Sequence, residues 1–151
     1  MKTNAMRILD QKKIQYKINE YDISDGKIDG ISVAEKTGSE PEKVFKTLVT
    51  QGVSKSYYVF VIPVLEELDL KAGAKASNEK KIEMIPMKDL LKTTGYIKGG
   101  CSPIGMKKKF KTFIHNSAEK QETIMVSGGK QGLQIELSPQ DLLEETEGIW
   151  F

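Results

Sequence analysis

ETIMVSGGKQGLQIEL, residues 122–137, reads as two β-strands joined by a glycine-rich turn. Directly after it, Ser138 is placed to cap a helix that has Pro139 at its first position and Asp141 at its third. A hairpin set among irregularly alternating strands and helices does not fit a regular parallel Rossmann sheet. It predicts an α+β fold, with helices packed on a mixed, largely antiparallel sheet.

Working outward, YYVFVIPV (57–64) is a strong core strand, and FKTFI (110–114), KIEMI (81–85) and YKINEYD (16–22) are further strands. Helices are expected over 3–13, capped by Thr3 or Asn4, and over 31–38, 68–77 and 87–95, with Gly38 and Gly95 as stops. DGKIDG is a loop, and Ser39 with Glu42 forms a capping box around Pro41. VFKTLVTQ (44–51) fits two periods. As a helix it buries Val44, Phe45 and Leu48; as a strand it puts Val44, Lys46 and Leu48 on one face. A helix running into a strand near Lys46 accommodates both patterns.

The 151 residues suit one domain, 1–151, with room for one sizeable core. No window approaches the length of a membrane span, and MKTNAMRIL lacks a signal-like apolar core, so a cytoplasmic protein is expected. With 23 basic and 21 acidic side chains the net charge is +2, which points neither to nor away from nucleic acid. The one pronounced basic patch is Lys107, Lys108, Lys109 and Lys111, which reads either as a solvated face or as a local contact for an RNA end. One cysteine excludes an intrachain disulfide, and one histidine excludes a histidine-rich zinc site. Neither metal nor cofactor is expected. The lysine in SGGKQG (127–132) does not make it a phosphate loop, because its glycines and hydroxyl are in the wrong order.

Three features bear on chemistry. Cys101, in GGCSPIG (99–105), is either a nucleophile activated by neighbouring lysines and a helix starting near Pro103, or a small buried residue. Lys46, if on a strand between Val44 and Leu48, must snorkel, pair with a carboxylate, or line a pocket for an anion or a carbonyl; on a helix it is simply exposed. Glycines 99, 100, 105, 128, 129 and 132 form two turns whose amides are free to face a phosphate, a ribose or a developing oxyanion.

VFKTLV (44–49), LDLK (68–71), TGYIKGGCSPIGMKKKF (94–110), VSGGKQGLQIEL (126–137) and DLL (141–143) occur in order with fitting spacing. Through them the chain resembles, nearly end to end, the YbaK family of free-standing aminoacyl-tRNA deacylases, which are similar to the editing domain inserted in some prolyl-tRNA synthetases. The resemblance implies that Lys46 is the catalytic lysine of an editing pocket. It implies that Tyr21, Gly100, Ser102, Gly128 and Gly129 contact substrate, and that Lys107, Lys108 and Lys109 face the tRNA acceptor end. It also implies mischarged tRNA(Pro) and prolyl-tRNA synthetase as partners. Three positions depart from the family pattern: Cys101 replaces a small aliphatic residue, His115 an aspartate, and Gln131 an arginine. The first favours packing for Cys101. His115, taken to lie near the pocket, is expected to contribute hydrogen bonding rather than charge.

The implied reaction is cleavage of the aminoacyl ester of a mischarged tRNA, with Cys-tRNA(Pro) favoured and Ala-tRNA(Pro) the alternative. The sequence shows no Ser–His–Asp or Cys–His arrangement, so either water or the substrate's own thiol is the attacking group. In this scheme Lys46 positions the ester and the glycine-turn amides hold the oxyanion. Two other classes remain: a catalytically weak module that holds tRNA or a synthetase, and a thiol hydrolase of small molecules using Cys101.

Overall fold

The computed structural model describes residues 2–151. The expected hairpin is β6 (Ile124–Ser127) and β7 (Leu133–Leu137), antiparallel, with Val126 opposite Ile135. β7 also pairs antiparallel with β1 (Lys17–Glu20), which makes a three-stranded sheet in the order β1-β7-β6. A second sheet has five strands in the order β4-β2-β3-β5-β8. β2 (Phe45–Gly52) runs antiparallel to both β3 (Tyr57–Pro63) and β4 (Ile82–Met84). β5 (Lys111–Ile114) is parallel to β3 and to β8 (Ile149–Trp150). The fold is therefore mixed and largely antiparallel, with helices packed on it.

The ambiguous segment 44–51 is strand, not helix. From Phe45 opposite Pro63 to Gln51 opposite Tyr57 it stays in register with β3, and that ladder pairs the backbone groups on that side of the strand along its length. The turn before it is a short 3-10 segment, Pro41–Lys43, whose cap Glu40 makes no side-chain bond. The capping box of Ser39 and Glu42 does not form, because the Ser39 hydroxyl donates to Met125 Sδ at 2.9 Å. No helix begins at Pro103; residues 103–105 and 107–108 are bends. Strand β8 has no signature of its own, being two residues that pair with a strand distant in the chain.

The helices follow their caps. Thr3 accepts from Met6 N–H at the start of α1 (Asn4–Gln11), and Asp29 accepts from Ser32 N–H at the start of α2 (Gly30–Lys36). Asp69 caps α3 (Leu70–Ala76). α4 (Leu90–Thr94) follows a 3-10 turn at Met87–Asp89 and ends on Gly95 at φ +89°. α5 (Pro139–Thr146) starts where the Ser138 hydroxyl accepts from Asp141 N–H, as its sequence requires.

Successive residues of β3 point into different cores, as a pleated strand dictates. Val59 and Val61 join Leu9 of α1, Phe45 of β2, and Val126 and Ile135 of the hairpin. Tyr58, Phe60 and Ile62 face Ala74 of α3, with Ile82 and Phe113. A small third cluster, Ala34, Val44, Val64 and Met125, surrounds a parallel backbone bridge between Val44 and Met125 that ties one sheet to the other.

Candidate active site at the seam of the two sheets

Beside that bridge lies a cavity of about 450 Å³. β2 supplies Lys46 and Thr47, β7 supplies Gln134, and β6 ends in its wall at Ser127. Tyr21, just past β1, is held there by its own N–H, which donates to Gly132 O at 3.0 Å. The start of α2 contributes Asp29 and Gly30, and the first glycine turn contributes Lys98, Gly99 and Cys101. Apolar groups including Ile28, Val33 and Ile85 complete the lining.

Lys46 is half-buried, opposite Ile62 in the β2–β3 register. Among the described residues no carboxylate lies within ion-pair distance of its Nζ. Of the options open to a strand lysine, it takes the one that lines a pocket. The Asp29 carboxylate is used locally, accepting from the N–H and hydroxyl of Ser32.

Three residues of the wall carry a buried polar atom with no partner among the described residues: Tyr21 Oη, Thr47 Oγ1 and Gln134 Oε1. A buried polar group left unpaired costs about 1–3 kcal/mol. Thr47 and Gln134 have ordinary strand positions, so nothing in the sequence singles them out. Only the junction of two sheets brings them together with Tyr21.

Of the residues implied by resemblance, Lys46 and Tyr21 line the cavity; Gly100, Ser102, Gly128 and Gly129 do not line it but lie within two residues of Gly99, Cys101 or Ser127 in the chain, which do. The two glycine turns pack on each other. A Cβ on Gly100 would fall 2.8 Å from Lys130 Cα, and Gln131 Nε2 donates to Lys98 O at 2.8 Å across the same junction. Their amides are already used: Gly100 N–H donates to Ile97 O, Gly128 N–H to Leu133 O, and Gly129 N–H to Ser127 Oγ. These three amides are thus not available to an oxyanion, which corrects that expectation. Ser102 is fully buried, and its hydroxyl accepts from Ile104 N–H at 3.2 Å.

Cys101 is buried against Thr94 and Tyr96, and burial pushes its thiol up to about 11. It is a protonated packing residue at neutral pH, not a thiolate. His115 is not part of the cavity wall, contrary to expectation. It caps a 3-10 turn, Asn116–Lys120: Nδ1 accepts from Ser117 N–H at 3.1 Å while Nε2 lies 3.4 Å from Glu66. Lys107, Lys108 and Lys109 are exposed and also lie off the wall. Lys107 Nζ donates to Lys92 O, Lys109 pairs with Glu147 at 3.2 Å, and Lys108 and Lys109 edge a separate groove of about 280 Å³. Among the described residues no group of three or more His, Cys, Asp or Glu gathers to hold a metal ion, and no helix is long and apolar enough to cross a membrane.

The chain matches the aminoacyl-tRNA editing domain over residues 29–145. It is 52% identical over 147 residues to the Enterococcus faecalis protein named "Putative Cys-tRNA(Pro)/Cys-tRNA(Cys) deacylase EbsC", covering 97% of this chain and 90% of that one. Two solved structures share the fold at low identity. The hypothetical protein APE2540 has a TM-score of 0.88 at 16% identity, over 98% of this chain and 97% of that one. A structure described as "a putative trans-editing enzyme for prolyl tRNA synthetase" has a TM-score of 0.84 at 18% identity, over 100% and 96%. The motifs at 44–49, 94–110 and 126–137 lie within the matched span, so the chain belongs to the aminoacyl-tRNA editing domain family, of the YbaK type.

Proposed function

We propose that the protein acts in trans as a deacylase of mischarged tRNA, cleaving the ester between the amino acid and the terminal ribose, with Cys-tRNA(Pro) as the preferred substrate. Family membership supplies the class of reaction. The observation that carries the site is Lys46: an ammonium on the cavity wall with no carboxylate of the described residues beside it. Such a charge suits a ligand that brings a phosphate or a polarised carbonyl.

In this reading Lys46 positions the ester and offsets negative charge developing on its carbonyl oxygen. The protein supplies no attacking group: the lone histidine is outside the wall and the Cys101 thiol is protonated. The attack comes from the cysteinyl thiol of the substrate: its sulfur bonds to the ester carbonyl carbon, the bond to the ribose oxygen breaks, the ribose hydroxyl leaves with the thiol's proton, and the amino acid departs as a cyclic thioester. Where the amino acid has no thiol, water attacks and the free amino acid leaves. The 52% identical relative, by its name, supports cysteine as the amino acid and tRNA(Pro) as one carrier. Cysteine, alanine and proline are close in bulk, and a pocket gains only about 1–3 kcal/mol from one methylene. A second, deacylating site is therefore useful after prolyl-tRNA synthetase errs, and that synthetase is the proposed source of the substrate. Lys107, Lys108 and Lys109, outside the cavity, contact the acceptor-stem phosphates. Gly100, Ser102, Gly128 and Gly129 act by holding the wall in place.

The test is deacylation of purified Cys-tRNA(Pro), Ala-tRNA(Pro) and Pro-tRNA(Pro). Rapid release from the first alone is expected. Release from Ala-tRNA(Pro) in preference would correct the substrate, and tRNA binding without turnover of any of them would reduce the protein to a binding module.

A further inference from the structure

We infer that Gln134, together with Tyr21 and Thr47, reads the free α-amino group of the aminoacyl moiety, so that the cavity takes esters of unmodified amino acids and turns away N-acylated ones. This rests on the proposed function and deepens it.

Tyr21 is 8% exposed and Gln134 6%. Tyr21, Thr47 and Gln134 line the same cavity from three separate places, the end of β1, β2 and β7, and each carries a buried polar atom, Tyr21 Oη, Thr47 Oγ1 and Gln134 Oε1, with no partner among the described residues. Native interiors seldom leave such atoms unpaired, and three on one wall are most simply paired by what the cavity holds. Their chemistry selects the ligand group. A glutamine carbonyl oxygen can only accept, and the two hydroxyls can accept as well. The matching group must therefore donate to Gln134, and one that carries more than one hydrogen can also donate to the hydroxyls.

An aminoacyl ester offers acceptors in its carbonyl and phosphates, which suit the Lys46 ammonium. Its donors are the α-amine, the ribose hydroxyl and the adenine amine. The ribose and base connect to the rest of the tRNA, which must stay outside a cavity of this size. They therefore occupy the mouth, where the exposed Lys98 stands. The buried walls meet the amino acid, and the α-amine is the donor that all amino acids share. N-acylation removes hydrogens from that nitrogen and adds bulk where Gln134 stands.

A rival use of Gln134 is structural. Asn19 lies opposite it in the β1–β7 register, and Asn19 Nδ2 is also unpartnered. The experiment separates the two. Deacylation of Cys-tRNA(Pro) and of N-acetyl-Cys-tRNA(Pro) is measured with the parent protein, each rate divided by the spontaneous rate of the same ester. The parent is expected to favour the free amine on the order of a hundredfold, since sites built around a hydrogen bond reject analogues that lack it. Gln134→Met keeps the bulk and removes the amide; it should slow the free-amine substrate alone and collapse that ratio. Gln134→Glu keeps an acceptor and should retain the preference. Equal rates on both esters with the parent protein would overturn the inference while leaving the deacylase intact. So would a Gln134→Met variant that slows both esters alike, which is the outcome of a purely structural Asn19–Gln134 contact. Should Gln134→Met fail to fold, the parent's ratio and that of Thr47→Val still decide. A protein that deacylates neither ester overturns the proposed function, and this inference with it.

Discussion

Gly100 and Lys130 meet backbone to backbone: a Cβ on Gly100 would lie 2.8 Å from Lys130 Cα and 2.9 Å from Gln131 N. Neither atom is the far end of a flexible side chain, so the contact can be relieved only by moving a turn. Gly100→Ala should therefore destabilise the protein by about 1–3 kcal/mol, the usual cost of overpacking. Chemical denaturation checks it. Because Gly99 and Ser127 of the same turns line the cavity, activity should fall further than stability alone explains.

Lys46→Ala should cut deacylation at least about tenfold, the loss of a charge that acts on the reacting group. Its half-exposed side chain supports no core, so circular dichroism and the unfolding midpoint should stay put. An unchanged rate constant would remove Lys46 from the mechanism.

Cys101→Ala should retain most activity, because the protonated thiol is packing rather than chemistry. The raised pKa has a defined sign. At neutral pH, and well above the usual thiol range, the folded protein keeps the neutral form, and the thiolate appears only as pH approaches about 11. Iodoacetamide labelling of the native protein should be slow at pH 7 and accelerate only in strong alkali, whereas the denatured chain labels readily near pH 9. A native protein that labels as fast as the denatured one would contradict this assignment.

His115→Asp should leave stability and activity almost unchanged, because aspartate is a good N-cap and can accept from Ser117 N–H as Nδ1 does. His115→Ala removes the cap and should cost about 0.5–2 kcal/mol with normal kinetics in the folded protein. A changed pH–rate profile in either variant would place the ring in the chemistry after all.

Replacing Lys107, Lys108 and Lys109 together with alanine should weaken all tRNAs alike, since phosphate contacts carry no sequence information. The deficit should shrink as salt rises, because fewer counterions are released on binding. A variant whose salt slope equals the parent's would show these lysines to be a solvated face.

Much of the fold was legible in the residues. The hairpin at 122–137 and the β3 strand have strong local patterns, and the Ser138 cap forms as its spacing requires. Segment 44–51 was not decidable by period, because Val44 and Leu48 suit either geometry; the β3 ladder decides it. Ser39 has the composition of a capping box but spends its hydroxyl on Met125, 86 positions away. The glycine turns advertised free backbone, but sequence cannot tell where an amide donates, and these donate inward. Thr47 and Gln134 were unreadable for a related reason. Their meaning is an unpaired atom, and pairing is a property of the folded chain.

The seam has one more consequence. Lys46 belongs to one sheet and Gln134 to the other, so the gap between them is a caliper whose jaws are whole sheets. The setting screw is the packing around the Val44–Met125 bridge, where Ala34 is fully buried against Val44, Val64 and Met125. Enlarging Ala34 would overpack that cluster and press on the bridge between the jaws from outside the cavity, since Ala34 is not one of the residues that line it.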